Sequence, residues 1–261
     1  MSMDTILYEV KEGIATIILN RPDKLNAITF EMLDEIMNSL DEAAVSDNVR
    51  VVVIKGSGER AFSAGDDLKG MGLSSRKIPS DRFSQLNEGH PRLLKAIRSL
   101  MKPVIASVHG YCLGAACEAA LACDLIIAAE DARLGLPYVQ RGLGSGTWIV
   151  PMTVGYHKAC ELLFFGDWVS GKEAERIGMI NKAVPADQLD ATVGEWAARL
   201  AKGATAAIAH MKRSMNYSPM IDLEVGLNFQ SLSTLNISAT EDAKEGRQSF
   251  IEKREPRYKG R

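Results

Sequence analysis

The chain has 261 residues, 46% of them hydrophobic and 25% charged, with a formal net charge of −2. This is the balance of an ordinary globular protein, long enough for one large domain or a domain with a smaller appendage. Nothing global favours nucleic acid or an anionic membrane, and no apolar run reaches the roughly eighteen residues a membrane span needs.

Two β-type runs open the chain, Ile6 to Val10 and Ile14 to Asn20, and Gly13 in the short connection predicts a hairpin. Thr29 is a plausible N-cap for an amphipathic helix over 30–45, whose apolar positions Phe30, Leu33, Met37, Leu40 and Ala44 keep helical spacing. Val49 to Lys55 is a continuous β-branched run, the mark of a strand buried on both faces. Glycine-rich sequence follows over 56–82, and Gly70 to Ser80 reads as a surface loop. A helix is expected over 83–100, a buried strand over Val104 to Val108, a small-residue helix over 115–122 and a third buried strand over Asp124 to Ala129. This recurrence predicts an α/β core with parallel strands. Beyond Gly155 the chain turns mostly helical. Ser170-Gly-Lys-Glu173 fits a capping box for a helix ending at Gly178, and helical patterns cover about 187–201, 204–217, 221–237 and 240–253.

The four cysteines (Cys112, Cys117, Cys123, Cys160) have no C-x-x-C spacing, and no two of the four histidines (His90, His109, His157, His210) lie three or four residues apart. A metal site is therefore not expected, and the cysteines read as small buried hydrophobes suited to a reducing cytosol. Met1-Ser2-Met3-Asp4 has neither the basic nor the apolar stretch of a signal peptide, so a cytoplasmic location is expected.

Two glycine turns carry the chemistry, each following a buried strand. One is Ala64-Gly65-Asp66; the other runs from His109-Gly110 to Gly114-Ala115-Ala116-Cys117-Glu118. Turns at the carboxyl ends of parallel strands are where α/β proteins place ligands, and small residues there leave backbone N–H groups open to close approach. Two amides converging on one oxygen would stabilise an oxyanion or enolate, at about 3–4 kcal/mol per donor. Tight packing is the bland alternative. Glu118 sits one turn into a helix otherwise made of Ala, Leu and Cys, where a carboxylate is costly without a partner or a task. It is either a general acid/base or half of an ion pair with an unseen Arg or Lys.

The stretches Asn20 to Ala27, Ala61 to Leu68, Lys102 to Glu118, Cys123-Asp124, Gly171 to Val184 and Phe250 to Pro256 closely resemble the enoyl-CoA hydratase/isomerase family, the crotonases, in order over nearly the whole chain. The resemblance implies a crotonase-like spiral of ββα units with a helical C-terminal region, divided as a core over 1–195 with the acyl-CoA site and a region over 196–261 for trimerisation and for covering the site. It implies a homotrimer or hexamer acting on an acyl-CoA thioester, with coenzyme A as part of the substrate and no separate cofactor. The oxyanion amides would be those of Asp66 and Ala115. The Ala64 carbonyl would lie by the adenine, Arg60 and Lys253 would meet CoA phosphates, and Lys24, Leu25 and Ala27 would line the CoA cleft. Asp67, Leu68, Gly114 and Phe250 fall within the same matching motifs. Trp148 and Tyr138, with the 70–90 loop and the C-terminal helices, would shape the acyl pocket.

One departure matters. Many hydratases of this family carry a second glutamate twenty residues after the first, in Gly-x-Pro-Glu; here the chain reads Gly135-Leu136-Pro137-Tyr138. Hydration by paired glutamates cannot be carried over intact. Tyr138 could donate a hydrogen bond or a proton, or simply pack against the acyl group. Asp67 is expected to cap its turn, Asp66 could face the acyl group, and His109 reads as a satisfied core residue. The leading expectation is addition or removal of water across an enoyl-CoA double bond with Glu118 as acid/base. Decarboxylation, thioester hydrolysis, C–C cleavage and isomerisation through the same enolate are the alternatives, and a non-catalytic acyl-CoA-binding subunit is the third reading.

Overall fold

In the computed structural model, residues 5–67, 89–217 and 222–260 are described. The expected hairpin is present: β1 (Ile6–Lys11) and β2 (Ile14–Leu19) pair antiparallel. Both turn residues take positive φ, Glu12 at 52° and Gly13 at 83°, the two-residue geometry that matches strand twist. Alternation on β2 points Ala15, Ile17 and Leu19 into the core.

From β2 the sheet continues through β3 (Val51–Gly56), β5 (Val104–Val108), β7 (Leu125–Ala129) and β10 (Lys182–Val184), all parallel to one another. Every residue of β5 and four in succession on β3 are buried, as continuous apolar runs require of strands covered on both faces. A second sheet was not legible in the sequence. It joins β4 (Ala61–Ser63), β6 (Tyr111–Leu113) and β8 (Arg133–Gly135) in parallel, with β9 (Val169–Ser170) antiparallel at the edge. Strands of two or three residues are too short to display a period. The chain thus steps repeatedly from a long strand to a short one and then to a helix.

Helix α1 (Phe30–Val45) begins as expected, with Thr29 Oγ1 accepting from the Met32 amide at 3.2 Å. Phe30, Leu33, Met37 and Leu40 are buried, but Ala44 is exposed and Ala43 takes the inward position. The helix expected over 83–100 is described as α2 (Gly89–Ser99), and α3 (Ala115–Ala122) is entirely buried. The Gly70–Ser80 loop lies outside the described residues. Helices α4 (Ile149–Val154), α5 (Tyr156–Phe165) and α6 (Gly171–Arg176) follow. Ser170 caps α6 by accepting from the Glu173 amide at 3.1 Å, while the Glu173 carboxylate pairs forward with Arg176 instead of closing the box. Helix α7 (Leu189–Ala201) runs across the 195/196 boundary and buries Leu189, Val193 and Ala197. Helices α8 (Thr205–Tyr217), α9 (Leu223–Ser238) and α10 (Glu241–Glu252) complete the C-terminal region. No described helix is long and apolar enough to cross a membrane.

Helix α8 is tied to the core by a buried cation. Lys212 Nζ donates to Asp124 Oδ2 at 2.8 Å, to the Ile97 carbonyl at 2.8 Å and to the Lys102 carbonyl at 3.1 Å. Asp124 also accepts from the Val104 amide at 2.7 Å, so the starts of β5 and β7 are joined at the same carboxylate.

Candidate active site

Two glycines let the short strands fold against each other. Gly110, at φ 54°, passes so near β4 that a Cβ would lie 2.0 Å from the Arg60 carbonyl oxygen. Gly65, at φ 91°, brings the first turn onto the second: a Cβ there would be 2.7 Å from the Leu113 carbonyl oxygen and 3.4 Å from the Ala115 nitrogen. The Ala64-Gly65-Asp66 and Gly114-Ala115 turns are therefore in contact. Any side chain at Gly65 would push them apart.

Hydrogen bonding fixes which amides stay open. Ile28 donates to the Gly65 carbonyl at 2.8 Å and accepts from the Asp67 amide at 2.8 Å, so the Asp66 amide between them faces the other way. Ala115 is the first residue of α3, where an N–H has no intrahelical acceptor. Neither amide finds an acceptor among the described residues.

Glu118 lies one turn further along α3 and is 4% exposed. Its partner is neither Arg nor Lys. The Tyr138 hydroxyl donates to Glu118 Oε1 at 2.8 Å, and His90 Nε2 stands 3.9 Å from Glu118 Oε2. Tyr138 reaches this place because the chain turns sharply after β8, with the Arg141 and Leu143 amides both donating to the Tyr138 carbonyl. Its ring lies 3.8 Å from where a Gly114 Cβ would be, so Tyr138 packs on the glycine turn while holding the carboxylate. Burial, and then the Glu118 charge, push the phenol well above its ordinary range. Burial also raises the Asp66 carboxyl, opposed by His90 and reinforced by Glu118. The same burial lowers the His90 imidazole, against the pull of both carboxylates. Asp66, His90, Glu118 and Tyr138 thus form one electrostatic group. His90 was not singled out from the sequence, because its role depends on α2 crossing α3, and no local spacing reports that.

Asp67 Oδ2 pairs with Arg21 at 3.0 Å, and Arg21 also donates to the Ala27 carbonyl at 2.6 Å. Asn26, fully buried, was also missed. Its amide donates to the Ser57 and Ala61 carbonyls at 2.9 and 2.8 Å while its oxygen accepts from the Arg21 amide at 2.9 Å. Asn26 and Leu25 adopt left-handed φ of 53° and 51°, and Leu25 accepts from the Ala64 amide at 2.9 Å. Leu25 and Ala64 are thereby joined, and the Ala27 amide donates to the carbonyl of exposed Lys24 at 3.1 Å. Arg60 is exposed at the start of β4, and Leu68 lies outside the described residues.

Trp148 lines a largely apolar cavity of about 870 Å³ between α2, α4 and α8, with Pro91, Leu94, Arg98, Ile149 and Tyr217. The Arg98 guanidinium sits 5.9 Å from its ring centroid. Phe250 and Lys253 are not brought to Glu118 within the described residues. Phe250, 85% exposed, lines a separate groove with Ala204, Ile237 and Tyr258, and Lys253 ends α10 at φ 51°. His109 is only half satisfied: it bonds the Gly58 backbone, but its Nε2 has no partner among the described residues. Cys112, Cys117 and Cys123 are buried and Cys160 is half-buried, all as free thiols. Among the described residues no cluster of three or more His, Cys, Asp or Glu is arranged to hold a metal ion.

A two-sheet spiral with two open amides beside a buried carboxylate defines a crotonase-fold protein. The family model described as enoyl-CoA hydratase/isomerase matches residues 9–261. The 2,3-dehydroadipyl-CoA hydratase of Escherichia coli is 32% identical over 262 residues, covering 99% of this chain and all of that one. The short-chain-enoyl-CoA hydratase of Clostridium acetobutylicum is 33% identical over 257 residues, covering 97% of each. The crystal structure of enoyl-CoA hydratase from Bacillus anthracis superposes with a TM-score of 0.90 at 31% identity, over 99% of this chain and all of that one. The chain belongs to the enoyl-CoA hydratase/isomerase family.

Proposed function

We propose that this chain is an enoyl-CoA hydratase-like hydro-lyase, adding water to or removing it from the 2,3 double bond of an acyl-CoA thioester. The observation that carries the reading is Glu118: buried, held at one oxygen by Tyr138, and one helical turn beyond the open Ala115 amide. The Asp66 and Ala115 amides receive the thioester oxygen. As negative charge develops there, two preorganised donors in a water-poor site stabilise the enolate more than the ground state. With Tyr138 on Oε1, Glu118 works through Oε2. It takes a proton from water as the C3–O bond forms and returns it to C2 as the enolate re-forms the carbonyl. One carboxylate then serves both proton transfers, and Tyr138 orients it.

The relatives act on acyl-CoA by name; in this proposal CoA runs along Lys24, Leu25 and Ala27, with the Ala64 carbonyl by the adenine and Arg60 towards the phosphates. The cavity beside Trp148 adjoins His90 through Pro91 and Leu94 and is the acyl pocket in this account. No cofactor beyond CoA itself is required. The expected binding result is a strong preference for thioester over free acid. Calorimetry should show acetoacetyl-CoA bound and acetoacetate not; equal affinities would overturn the assignment. Tyr138 in place of a second glutamate supports a second reading, another reaction through the same enolate such as decarboxylation of a malonyl-type CoA, which an activity panel separates.

Phe250 and Lys253 reach a CoA site only across a subunit boundary, so the region over 196–261 serves assembly in this proposal. Tyr156, Phe164 and Phe165 on α5, Leu223, Leu232 and Leu235 on α9, and Phe250 and Ile251 on α10 are all at least 60% exposed in the single chain. So much large apolar surface favours burial against other copies. Light scattering should give the mass of a trimer or hexamer, and a stable monomer at micromolar concentration would contradict it. Buried free thiols fit the reducing cytoplasm proposed as its location.

A further inference from the structure

Glu118 moves protons in this account, but a hydration also needs its water held and aimed, and Tyr138 is already committed. The phenol has one proton, and it is donated to Glu118 Oε1. The remaining polar groups at the site are His90 and Asp66. His90 is the second residue of α2, with its side chain 13% exposed and Nε2 3.9 Å from Glu118 Oε2. Neither imidazole nitrogen has a hydrogen-bond partner among the described residues, and neither has Asp66 Oδ1. Three buried polar atoms without partners beside a reactive carboxylate mark a place for small polar groups. The 3.9 Å gap is too long for a direct hydrogen bond, yet an oxygen seated to one side lies within reach of both groups.

We propose that His90 and Glu118 Oε2 together hold the water that adds to C3, so that the water-binding part of a second glutamate has passed to a residue on another element. This rests on the hydratase reading and deepens it. The water donates one hydrogen to Glu118 Oε2 and the other to His90 Nε2, with the imidazole proton on Nδ1. Its lone pair is then left for C3. As the C3–O bond forms, the water's O–H bond to Glu118 breaks, the proton goes to Oε2, and the C2=C3 electron pair moves to the thioester oxygen between the Asp66 and Ala115 amides. Glu118 returns that proton to C2. Imidazole charge is not consumed, which agrees with burial favouring its neutral form. In dehydration the same nitrogen receives a hydrogen bond from the departing water.

His90→Ala and His90→Gln in the full-length chain test this against two reactions. One is hydration of whichever enoyl-CoA the wild type turns over. The other is exchange in D2O of the C2 hydrogens of the corresponding saturated acyl-CoA, which needs Glu118 and the oxyanion amides but no water at C3. The expected result for His90→Ala is a hydration rate lower by about 100-fold, with exchange within about threefold of wild type. His90→Gln, which keeps a polar atom facing the gap, should recover about tenfold of the loss. Should His90→Ala not fold, the same split between the two reactions is read from His90→Gln. Hydration within threefold of wild type in a folded variant overturns the proposal, as does exchange that falls in step with hydration. Absence of C2 exchange in the wild type also overturns it, because Glu118 then does not work at C2. A wild type that hydrates no enoyl-CoA overturns the hydratase reading itself, whereas an active wild type with an equally active His90→Ala overturns only the role of His90.

Discussion

Glu118→Gln should lower turnover of the enoyl-CoA substrate by roughly 10²–10⁴-fold while leaving thioester binding nearly unchanged. The amide keeps the shape of the carboxylate and can still accept from Tyr138 at Oε1. What it loses is the basic oxygen proposed to take the proton from water and give it back to C2. Binding should survive because the proposed oxyanion amides belong to the backbone of Asp66 and Ala115, which the substitution does not touch. Tyr138→Phe should cost less, about 10–100-fold, the worth of one hydrogen bond to a charged group expressed as a rate. The double variant should be little worse than Glu118→Gln alone, because Tyr138 acts through Glu118. Rapid-quench or coupled assays on the purified variants read both numbers, and near-full activity in Glu118→Gln would remove it from the chemistry.

Lys212→Met should destabilise the protein by about 3–5 kcal/mol. All three Nζ protons have acceptors: Asp124 Oδ2 and the Ile97 and Lys102 carbonyls. Methionine fills a similar volume but donates nothing, so one half-buried carboxylate and two carbonyls lose their partner together. Asp124 is already pushed upward by burial and is held down chiefly by Lys212, so it has no other cation of comparable reach. Thermal unfolding at fixed protein concentration should show a midpoint lower by roughly 6–20 °C. Adding Asp124→Asn should restore part of the loss, because the uncompensated charge goes with it. A midpoint unchanged within two degrees would show that the buried pair contributes no net stability.

The contrast between these two sites shows what the sequence carried and what it did not. Long elements were legible because burial on both faces leaves continuous apolar runs, as in Val51–Gly56 and Val104–Val108, and because α1 keeps helical spacing behind Thr29. The short strands Ala61–Ser63, Tyr111–Leu113 and Arg133–Gly135 left no period to read, although they set the two glycine turns face to face. Glu118 stood out because a carboxylate among alanines is anomalous in one dimension. His90, Asn26 and Lys212 did not, since each is a polar residue in an ordinary-looking segment whose partners lie on other elements. Asn26 meets Ser57 and Ala61 more than thirty residues away, and Lys212 meets Asp124 across eighty-eight. The substitution at Tyr138 was visible, but that its phenol holds Glu118 required the fold.

Hydration of an enoyl-CoA by one carboxylate, held by a tyrosine in place of a second glutamate, is read by incubating the purified protein with crotonyl-CoA, a branched and a cyclic enoyl-CoA and a malonyl-type CoA. Mass spectrometry of the thioester products should show at least one enoyl-CoA gaining the mass of water to give a 3-hydroxyacyl-CoA, with the malonyl-type CoA unchanged. Loss of carbon dioxide from the malonyl-type CoA, with every enoyl-CoA left intact, would contradict it.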